Sequence, residues 1–325
     1  MRRYLLIPGS IFALSVCLWA IPTTVSAPVR RDLNQGRADS ALQSLDTVLT
    51  QDPSDAEAHN LRCRVYYEEE QWDHAIADCE AAVKLDPSNS NNHLWLGRAY
   101  GQKASHVSVV SAYKLARKVV KEFEQAVELN PHNADALADL GEFDARAPGV
   151  VGGGLNRAQA VEEQLGSVNQ ADALALAARI AEAKKNYAGA EADYKAAIAP
   201  SSDPADAWMD LAAFYQRRGR LADMVAAAHT GAFLDRRHGV ALVDGAMTLA
   251  KAGQEPQTAI RWLEEYLDSQ AQSEDAPVFA VHVQLAKLLQ DQGNAQAAQE
   301  QIAAAHALAS GYRIPPSNSS ARASR

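Results

Sequence analysis

The sequence has few cysteines, few aromatic side chains and no long apolar run. Three cysteines occur among 325 residues, and aromatic residues make up 6% of the chain. The longest apolar stretch, Ile11 to Ile21, is shorter than the roughly 20 residues that a membrane-spanning helix needs. A membrane-spanning helix is therefore not expected from length alone.

Motifs for catalysis and metal binding are also missing. The chain contains no HExxH, no paired CxxC and no GxSxG, which are the spacings of common zinc sites and of activated serine nucleophiles. The acidic triplet Glu68-Glu69-Glu70 is expected in a water-facing turn. We therefore expect no cofactor, no metal site and no enzymatic activity.

Basic residues are in the minority. The formal net charge is −9, and because the first 27 residues hold two arginines and no acid, the rest of the chain carries −11. A net negative charge is repelled by nucleic acid and by anionic lipid. We expect no nucleic-acid partner and no membrane insertion once the N-terminal segment is removed.

The N-terminal segment has the features of a secretory signal peptide. Two arginines precede an apolar stretch that Pro8-Gly9 interrupts, and Val25-Ser26-Ala27 offers small residues at the cleavage positions. We expect residues 1–27 to be removed and the protein to be periplasmic or secreted. An uncleaved anchor is the alternative, whereas a lipoprotein site at Cys17 is disfavoured because Val16 precedes it.

A repeated unit is the main positive signal. Asp55 to Asn89 predicts a helix, a turn and a second helix that ends at Asp86-Pro87, because proline removes a backbone donor and disfavours helix in the residue before it. The same ending recurs at Asp52-Pro53 and Asn130-Pro131. Recurrence at a fixed period indicates stacked supersecondary units.

A column of small residues supports this interpretation. With Ala56 as position 1 of a 34-residue unit, position 8 is never larger than cysteine. Its members are Cys63, Gly97, Gly141, Ala178, Ala212, Ala246 and Ala286. The facing position 20 is mostly small as well: Ala41, Ala75, Ala158, Ala190 and Ala298, with Val119, Met224 and Thr258 as looser members. Small side chains let two helix backbones approach closely, as an antiparallel helix pair requires.

Together with large residues at positions 11, 17 and 24, such as Tyr66, Trp72 and Tyr194, this pattern resembles the tetratricopeptide repeat family over nearly the whole mature chain. The resemblance implies an all-α, right-handed α-solenoid of about eight helix hairpins, the first one truncated. Irregularities in the third and fourth repeats look like those of an exported bacterial subgroup, which implies a placement and no activity.

The repeats are expected at approximately 28–54, 55–89, 90–133, 134–170, 171–204, 205–238, 239–277 and 278–310. Residues 311–325 have little apolar content and are expected to form a disordered tail. Gly219, Gly253 and Gly293 share position 15, where a first helix ends and a left-handed residue is favoured.

Two repeats depart from the regular length. The third has ten extra residues, which predict a second helix prolonged by two to three turns and capped by Ser108 or Ser111. The fourth carries Gly152, Gly153 and Gly154 before Asn156, a predicted helix cap. Such a loop can offer N–H groups to an anion, but no GxxxxGK[ST] motif is present, so a flexible insertion is favoured over a ligand loop or a partner-binding loop.

The two cysteines left in the mature chain lie in one hairpin. Cys63 and Cys79 occupy positions 8 and 24. Two unpaired packing residues are favoured, since packed helix axes lie about 8 to 10 Å apart and a disulfide needs Cα atoms within about 7 Å. A disulfide in an oxidising compartment is the alternative. The histidines at position 4, His59, His93 and His282, are interpreted as packing residues.

First-helix positions 2, 5, 9, 12 and 13 predict a partner-binding groove. Its candidate residues are Asn60, Arg64, Tyr67, Leu94, Arg98, Glu142, Arg146, Arg179, Gln216 and Arg217. Arginine binds carboxylates bidentately, so the five arginines indicate a peptide that bears acidic groups. The alternative is local neutralisation by Glu68, Asp135, Glu142 and Glu182.

These observations favour a non-catalytic scaffold or adaptor of the cell envelope that binds another protein's peptide or helix in the groove. Two alternatives remain open. One is a membrane-attached envelope assembly factor, and the other is a ligand-binding or enzymatic protein that uses the loop at Gly152 to Gly154.

Overall fold

The computed structural model describes residues 26–314, a part that holds sixteen α-helices, one short 3-10 helix and no strand. The first helices of the hairpins are α1 (Ser26–Asn34), α3 (Ala56–Glu68), α5 (Ser90–Ser105), α7 (Ala134–Arg146), α9 (Gln170–Ala183), α11 (Pro204–Arg217), α13 (Val240–Lys251) and α15 (Val278–Asp291). The second helices are α2 (Ala38–Gln51), α4 (Trp72–Leu85), α6 (Val109–Leu129), α8 (Leu155–Gly166), α10 (Tyr187–Ile198), α12 (Leu221–Leu234), α14 (Pro256–Leu267) and α16 (Ala295–Leu308).

Eight consecutive hairpins therefore confirm the predicted α-solenoid. Across residues 26–314, no helix has both the length and the apolarity that crossing a bilayer requires. Residues 1–25 of the expected signal peptide and residues 315–325 of the expected tail lie outside the described residues, whereas Ser26 and Ala27 already belong to α1.

Each hairpin is held at its closest approach by the small residues of position 8. All seven are buried. A Cβ atom added to Gly97 would come within 2.5 Å of the Phe123 ring, and one added to Gly141 within 2.3 Å of Leu176. Distances this short mean that a larger residue would displace Phe123 of the paired helix α6 at Gly97, and Leu176 of α9 in the next hairpin at Gly141. In the seventh repeat an extra residue moves the facing position from Thr258 to Ala259, which is fully buried.

The turn between the helices uses one left-handed residue at position 15. Gly219, Gly253 and Gly293 have φ angles of 69°, 65° and 83°, as predicted. Glu70 and Lys185 take the same place with φ angles of 57° and 61°. The repeat therefore imposes the left-handed conformation even where the residue carries a side chain.

The position 4 histidines join the two helices of their hairpins. Nδ1 of His59 lies 2.8 Å from Asp78, and Nδ1 of His93 lies 2.7 Å from Glu122. The Nε2 atoms of these two rings face the carbonyl oxygens of the prolines that end the preceding repeats, Pro53 and Pro87. His282 bonds Gln301 in the same way. The three histidines are packing residues, with a polar contact that the sequence pattern did not predict.

Cys63 and Cys79 form a disulfide, with Cα atoms 5.3 Å apart. The favoured expectation of two unpaired cysteines was wrong. Its reason was the usual distance between helix axes, but Ala75 and Cys63 are both small and fully buried, so α3 and α4 approach more closely than average helices.

The irregular third and fourth repeats have extra structure. α6 spans 21 residues and begins after Ser108, which confirms the prolonged second helix. The glycine-rich segment forms a 3-10 turn, Gly149–Val151, and α8 is capped by Gly154. The prediction of Asn156 as the cap was wrong, since Asn156 already lies inside α8.

The first helices form the inner side of the curved row. α7 contacts α9 and α11 contacts α13, so each of these helices touches the first helix of the next hairpin as well as its own partner. Elements that lie on the short side of a bend are closer together than those on the long side. The inner face of the solenoid is therefore built from first helices.

The two ends of the row meet. Val29 and Leu33 of α1 share one buried cluster with Phe279 and Val283 of α15, and Tyr312 packs on Phe279 with ring centroids 5.0 Å apart. Tyr312 is only 7% exposed, so the predicted tail begins later than residue 311. The sequence did not predict this closure.

Polar contacts line the same junction. Arg64 of α3 forms an ion pair with Glu274, which precedes α15. The backbone N–H of Ser310 donates to both carboxylate oxygens of Asp39 and its hydroxyl donates to one of them. Gln71 donates to the carbonyl oxygen of Gly311. Glu69 is 1% exposed at this junction, which corrects the prediction that the acidic triplet faces water. The physical reason is that Gly311 and Tyr312, which follow the eighth hairpin, cover the turn of the second.

Candidate functional site

The candidate groove residues do not all reach the inner surface. Leu94 and Asn60 are buried, with exposures of 1% and 7%, and belong to the interior of their hairpins. Tyr67 lies edge-on to Trp72 and Trp95. Gln216 is partly exposed. Of the remaining six candidates, Arg64 is largely covered, with its side chain 12% exposed, whereas the other four arginines and Glu142 are partly or largely exposed.

Four of the candidates line one hollow on the inner face. A cavity of about 400 Å³ lies between α5, α6 and α7, and Tyr67, Arg98, Glu142 and Arg146 form part of its wall. Phe123 and Phe143 supply apolar surface and Asp139 supplies a further carboxylate. An apolar floor with a few convergent charges is the usual composition of a site for a side chain or a small ligand.

Each of the five arginines is paired with a carboxylate of this chain. Arg98 lies 2.6 Å from Asp139, Arg146 lies 2.8 Å from Glu142, and Arg217 lies 2.7 Å from Glu182. Arg179 lies between Glu142 and Asp210, at 3.5 and 3.3 Å. Arg64 is bound by Glu274. The local neutralisation considered from the sequence is thus present at every one of these arginines, although Glu68 and Asp135 take no part in these pairs.

Trp95 adds an aromatic element to the inner face. The guanidinium carbons of Arg64 and Arg98 each lie 4.8 Å from the centre of a Trp95 ring. Such cation–π contacts hold an arginine in place at modest energy. They also reduce the freedom of the two arginines to bind a partner.

A row of aspartates runs along the same first helices without arginine partners. We call Asp135, Asp172, Asp206 and Asp244 the acidic column. They stand on α7, α9, α11 and α13, one on each helix. None of them forms an ion pair with any residue between 26 and 314.

The surroundings of the acidic column raise the pKa values of its carboxyl groups. Asp244 is reached by water, yet surrounding protein atoms replace much of its hydration, and this desolvation, followed by repulsion from Asp206 and Asp210, raises its pKa to about 7. Desolvation and then repulsion among aspartates raise the pKa of Asp206 to about 6. The pKa of Asp172 is raised by desolvation and by Asp135. The inner face therefore holds carboxyl groups that no basic side chain among residues 26–314 neutralises.

The glycine-rich loop has few N–H groups free to bind an anion. The N–H groups of Val151, Gly152 and Gly154 already donate to the carbonyl oxygens of Pro148, Gly149 and Asp144.

A Cβ atom on Gly153 would lie 2.2 Å from the carbonyl oxygen of Ala147, so this glycine serves close packing of the loop on the end of α7. Among residues 26–314, no group of three or more His, Cys, Asp or Glu side chains is arranged to hold a metal ion.

The repeated hairpins agree with a match to a known sequence family. The family described as Tetratricopeptide repeat matches residues 29–90, which cover the first two hairpins. The chain therefore contains tetratricopeptide repeats. No curated protein matches its sequence.

Solved structures similar to this tetratricopeptide repeat protein are distant in sequence. A thermophilic TPR protein of Thermus thermophilus is 18% identical, with 62% of this chain and 99% of that chain covered and a TM-score of 0.49. A tetratricopeptide repeat protein of Parabacteroides merdae is 12% identical, with 79% and 97% covered and a TM-score of 0.49. Neither similarity carries information on the function of the present chain.

The acidic column was missed in the sequence although its signal is visible there. Asp135 and Asp139 are four residues apart, and so are Asp206 and Asp210, a spacing that places each pair on one helix face. Reading acids and arginines together along the first helices of a tetratricopeptide repeat protein would have shown that acids outnumber arginines on this face.

Proposed function

We propose that this protein is a non-catalytic scaffold of the cell envelope that binds a segment of another protein on its inner face. Tetratricopeptide repeat proteins generally act through protein–protein interaction. The observation that carries the proposal is the inner face itself, where a 400 Å³ hollow and a row of uncompensated aspartates lie on successive first helices.

The charge of this face favours a basic segment over the acidic one indicated by the sequence. The five groove arginines are engaged by carboxylates of this chain, so an acidic peptide would have to displace them. A lysine or arginine side chain instead meets carboxyl groups that have no basic partner, and it relieves the repulsion that adds to desolvation in raising the pKa values of Asp206 and Asp244. Complementary charge increases the rate of association and the selectivity for the partner.

Binding of short labelled peptides tests the proposal. A lysine-rich peptide should bind the full chain and a matched glutamate-rich peptide should not, as measured by fluorescence anisotropy. The double variant Asp206→Asn/Asp244→Asn should weaken binding of the basic peptide roughly tenfold, which corresponds to about 1.4 kcal/mol.

A matched control variant distinguishes an effect of the inner face on peptide binding from an effect of the net charge of the molecule. Glu264→Gln/Asp268→Asn removes the same charge at and just after the end of α14, where both side chains are exposed. We expect it to leave peptide affinity nearly unchanged. Equal losses for the two double variants, or tighter binding of the glutamate-rich peptide, would contradict the proposal.

Export is part of the proposal. The predicted signal peptide supports it, and so does the Cys63–Cys79 disulfide, because disulfides persist in oxidising compartments. A membrane-attached assembly factor is the same scaffold with its N-terminal segment retained. The mass of the N-terminus in the mature protein distinguishes the two forms.

A further inference from the structure

An apolar and basic surface, opposite in charge to the acidic inner face, lies at the start of α6. Val109 is 85% exposed and Val110 is 70% exposed. Tyr113 follows one turn later and donates a hydrogen bond of 3.3 Å to the carbonyl oxygen of Val150, which is itself 66% exposed. We call Val109, Val110, Tyr113 and Val150 the α6 tip. It is a small convex apolar patch, formed because α6 is seven residues longer than the 14-residue α4.

Basic side chains continue directly from the α6 tip. Lys114, Arg117 and Lys121 are exposed, and none of them forms an ion pair with any residue in the described range 26–314. Val110 and these three residues are separated by four, three and four positions, so they share one face of α6.

The surrounding sequence strengthens this local charge. Residues 87–121 contain six lysines and arginines and no acid, in a chain whose formal net charge is −9. Ser108, which precedes α6, makes no side-chain cap, so the first N–H groups of the helix and the positive end of its dipole are not compensated by a side chain there.

We propose that the α6 tip docks on the surface of an anionic lipid bilayer. The apolar side chains would enter the interfacial region, and Lys114, Arg117 and Lys121 would lie against lipid phosphates. An apolar insertion and a basic patch are each weak anchors, and the combination of two such signals gives stable attachment.

The shape of the α6 tip favours a bilayer over an acidic protein surface. A stable protein interface buries about 800 Å² on each partner, and four side chains on a convex turn supply much less. The negative net charge of the molecule does not prevent docking, because charges beyond about 8 Å are screened at physiological ionic strength. The sequence-based expectation rested on net charge and overlooked this local reversal.

Cosedimentation of the protein, isolated as it occurs in its cell, with lipid vesicles tests the proposal. We expect binding to vesicles of phosphatidylcholine mixed with phosphatidylglycerol, weakened by salt, and little binding to phosphatidylcholine alone. Lys114→Gln/Arg117→Gln/Lys121→Gln should lower the affinity about a hundredfold, since each basic residue near an anionic surface contributes about fivefold. Val109→Ser/Val110→Ser/Tyr113→Ser should lower it as well.

Two control variants change similar groups elsewhere. Lys184→Gln/Lys185→Gln/Arg236→Gln removes three exposed charges, and Phe233→Ser/Leu234→Ser removes exposed apolar side chains. Both should bind the mixed vesicles like the wild type. Losses equal to those of the α6 variants would overturn the proposal.

Measuring hydrogen exchange in residues 106–114 distinguishes docking of the α6 tip from attachment through the N-terminal apolar segment. Mixed vesicles should slow exchange in this segment, and pure phosphatidylcholine vesicles should not. Unchanged exchange with both vesicles would refute lipid docking. Slower exchange with soluble polyglutamate but not with mixed vesicles would assign the surface to an acidic protein instead.

Discussion

Close contact between paired helices depends on single small residues. Gly97 faces the Phe123 ring across α5 and α6, and a Cβ atom there would lie 2.5 Å from the ring. Four residues later on the same helix, a Cβ atom on Gly101 would lie 3.9 Å from Val119, which is an ordinary contact. The two glycines therefore differ in role although both are helical.

Gly97→Val should lower the free energy of unfolding by about 2 kcal/mol, because the added methyl groups force Phe123 out of its place. Gly101→Ala should leave it unchanged or raise it by up to about 1 kcal/mol, because alanine favours helix. Urea unfolding followed by circular dichroism measures both. If the two variants proved equally stable, position 8 would not be the point of closest approach.

At this scale the sequence identified the packing residues better than the charged ones. Position 8 repeats at a fixed period, so its members could be read directly. The partner of Arg64 is Glu274, which stands 210 residues away and meets it only because the ends of the solenoid touch. Pairing across the fold cannot be read from spacing along the chain, which is why Glu274 was not among the acids considered as partners of the arginines.

Most helices could be placed from the sequence because their ends carry strong local signals. Asn133 and Asp203 accept hydrogen bonds from the first turns of α7 and α11, and proline follows the last residues of α2 and α4 closely. The prolonged α6 followed from the ten extra residues and their helix-forming composition. The loop before α8 could not be placed, since Gly152 and Gly153 are fixed by contacts with Val120 and Ala147 that belong to other elements.

Like the loop before α8, the disulfide could not be predicted because it depends on how closely two elements approach each other. Average helix spacing argued against it, but the spacing between α3 and α4 is set by the two small residues Cys63 and Ala75. A local exception to an average distance decides whether two cysteines can pair.

Closure of the row is a property of the whole molecule. Each hairpin adds a small rotation, and whether the eighth reaches the first depends on the sum of these rotations, which no local pattern states. The junction buries Glu69, and its Oε1 atom has no hydrogen-bond partner among the described residues. Asp39 on α2 acts on it from a neighbouring element and Glu68 and Glu70 flank it in the chain, so the junction is rich in carboxylates.

The buried Glu69 makes stability depend on pH. Burial, and then the charge of Asp39, raises its pKa to about 7, above the value of 4.5 for a free glutamate. Between these values the folded chain holds a proton that the unfolded chain has lost, so stability should fall as pH rises through this range and stay level above it.

Glu69→Gln should therefore be more stable than the wild type at about pH 8, by about 2 kcal/mol, and similar to it at about pH 5. Urea unfolding at both pH values measures this difference, with the exposed Asp291→Asn as control. A wild-type stability that rose with pH over this range would contradict a protonated, buried Glu69.

Site-specific photo-crosslinking in living cells tests most directly whether the inner face is the binding surface. A photoreactive amino acid placed at position 206 or 244, both exposed on the inner face, should capture a partner through a lysine- or arginine-rich segment. The same amino acid at the exposed Ala192 on α10 should capture none. A partner trapped at position 192 but not at 206 or 244 would contradict the account.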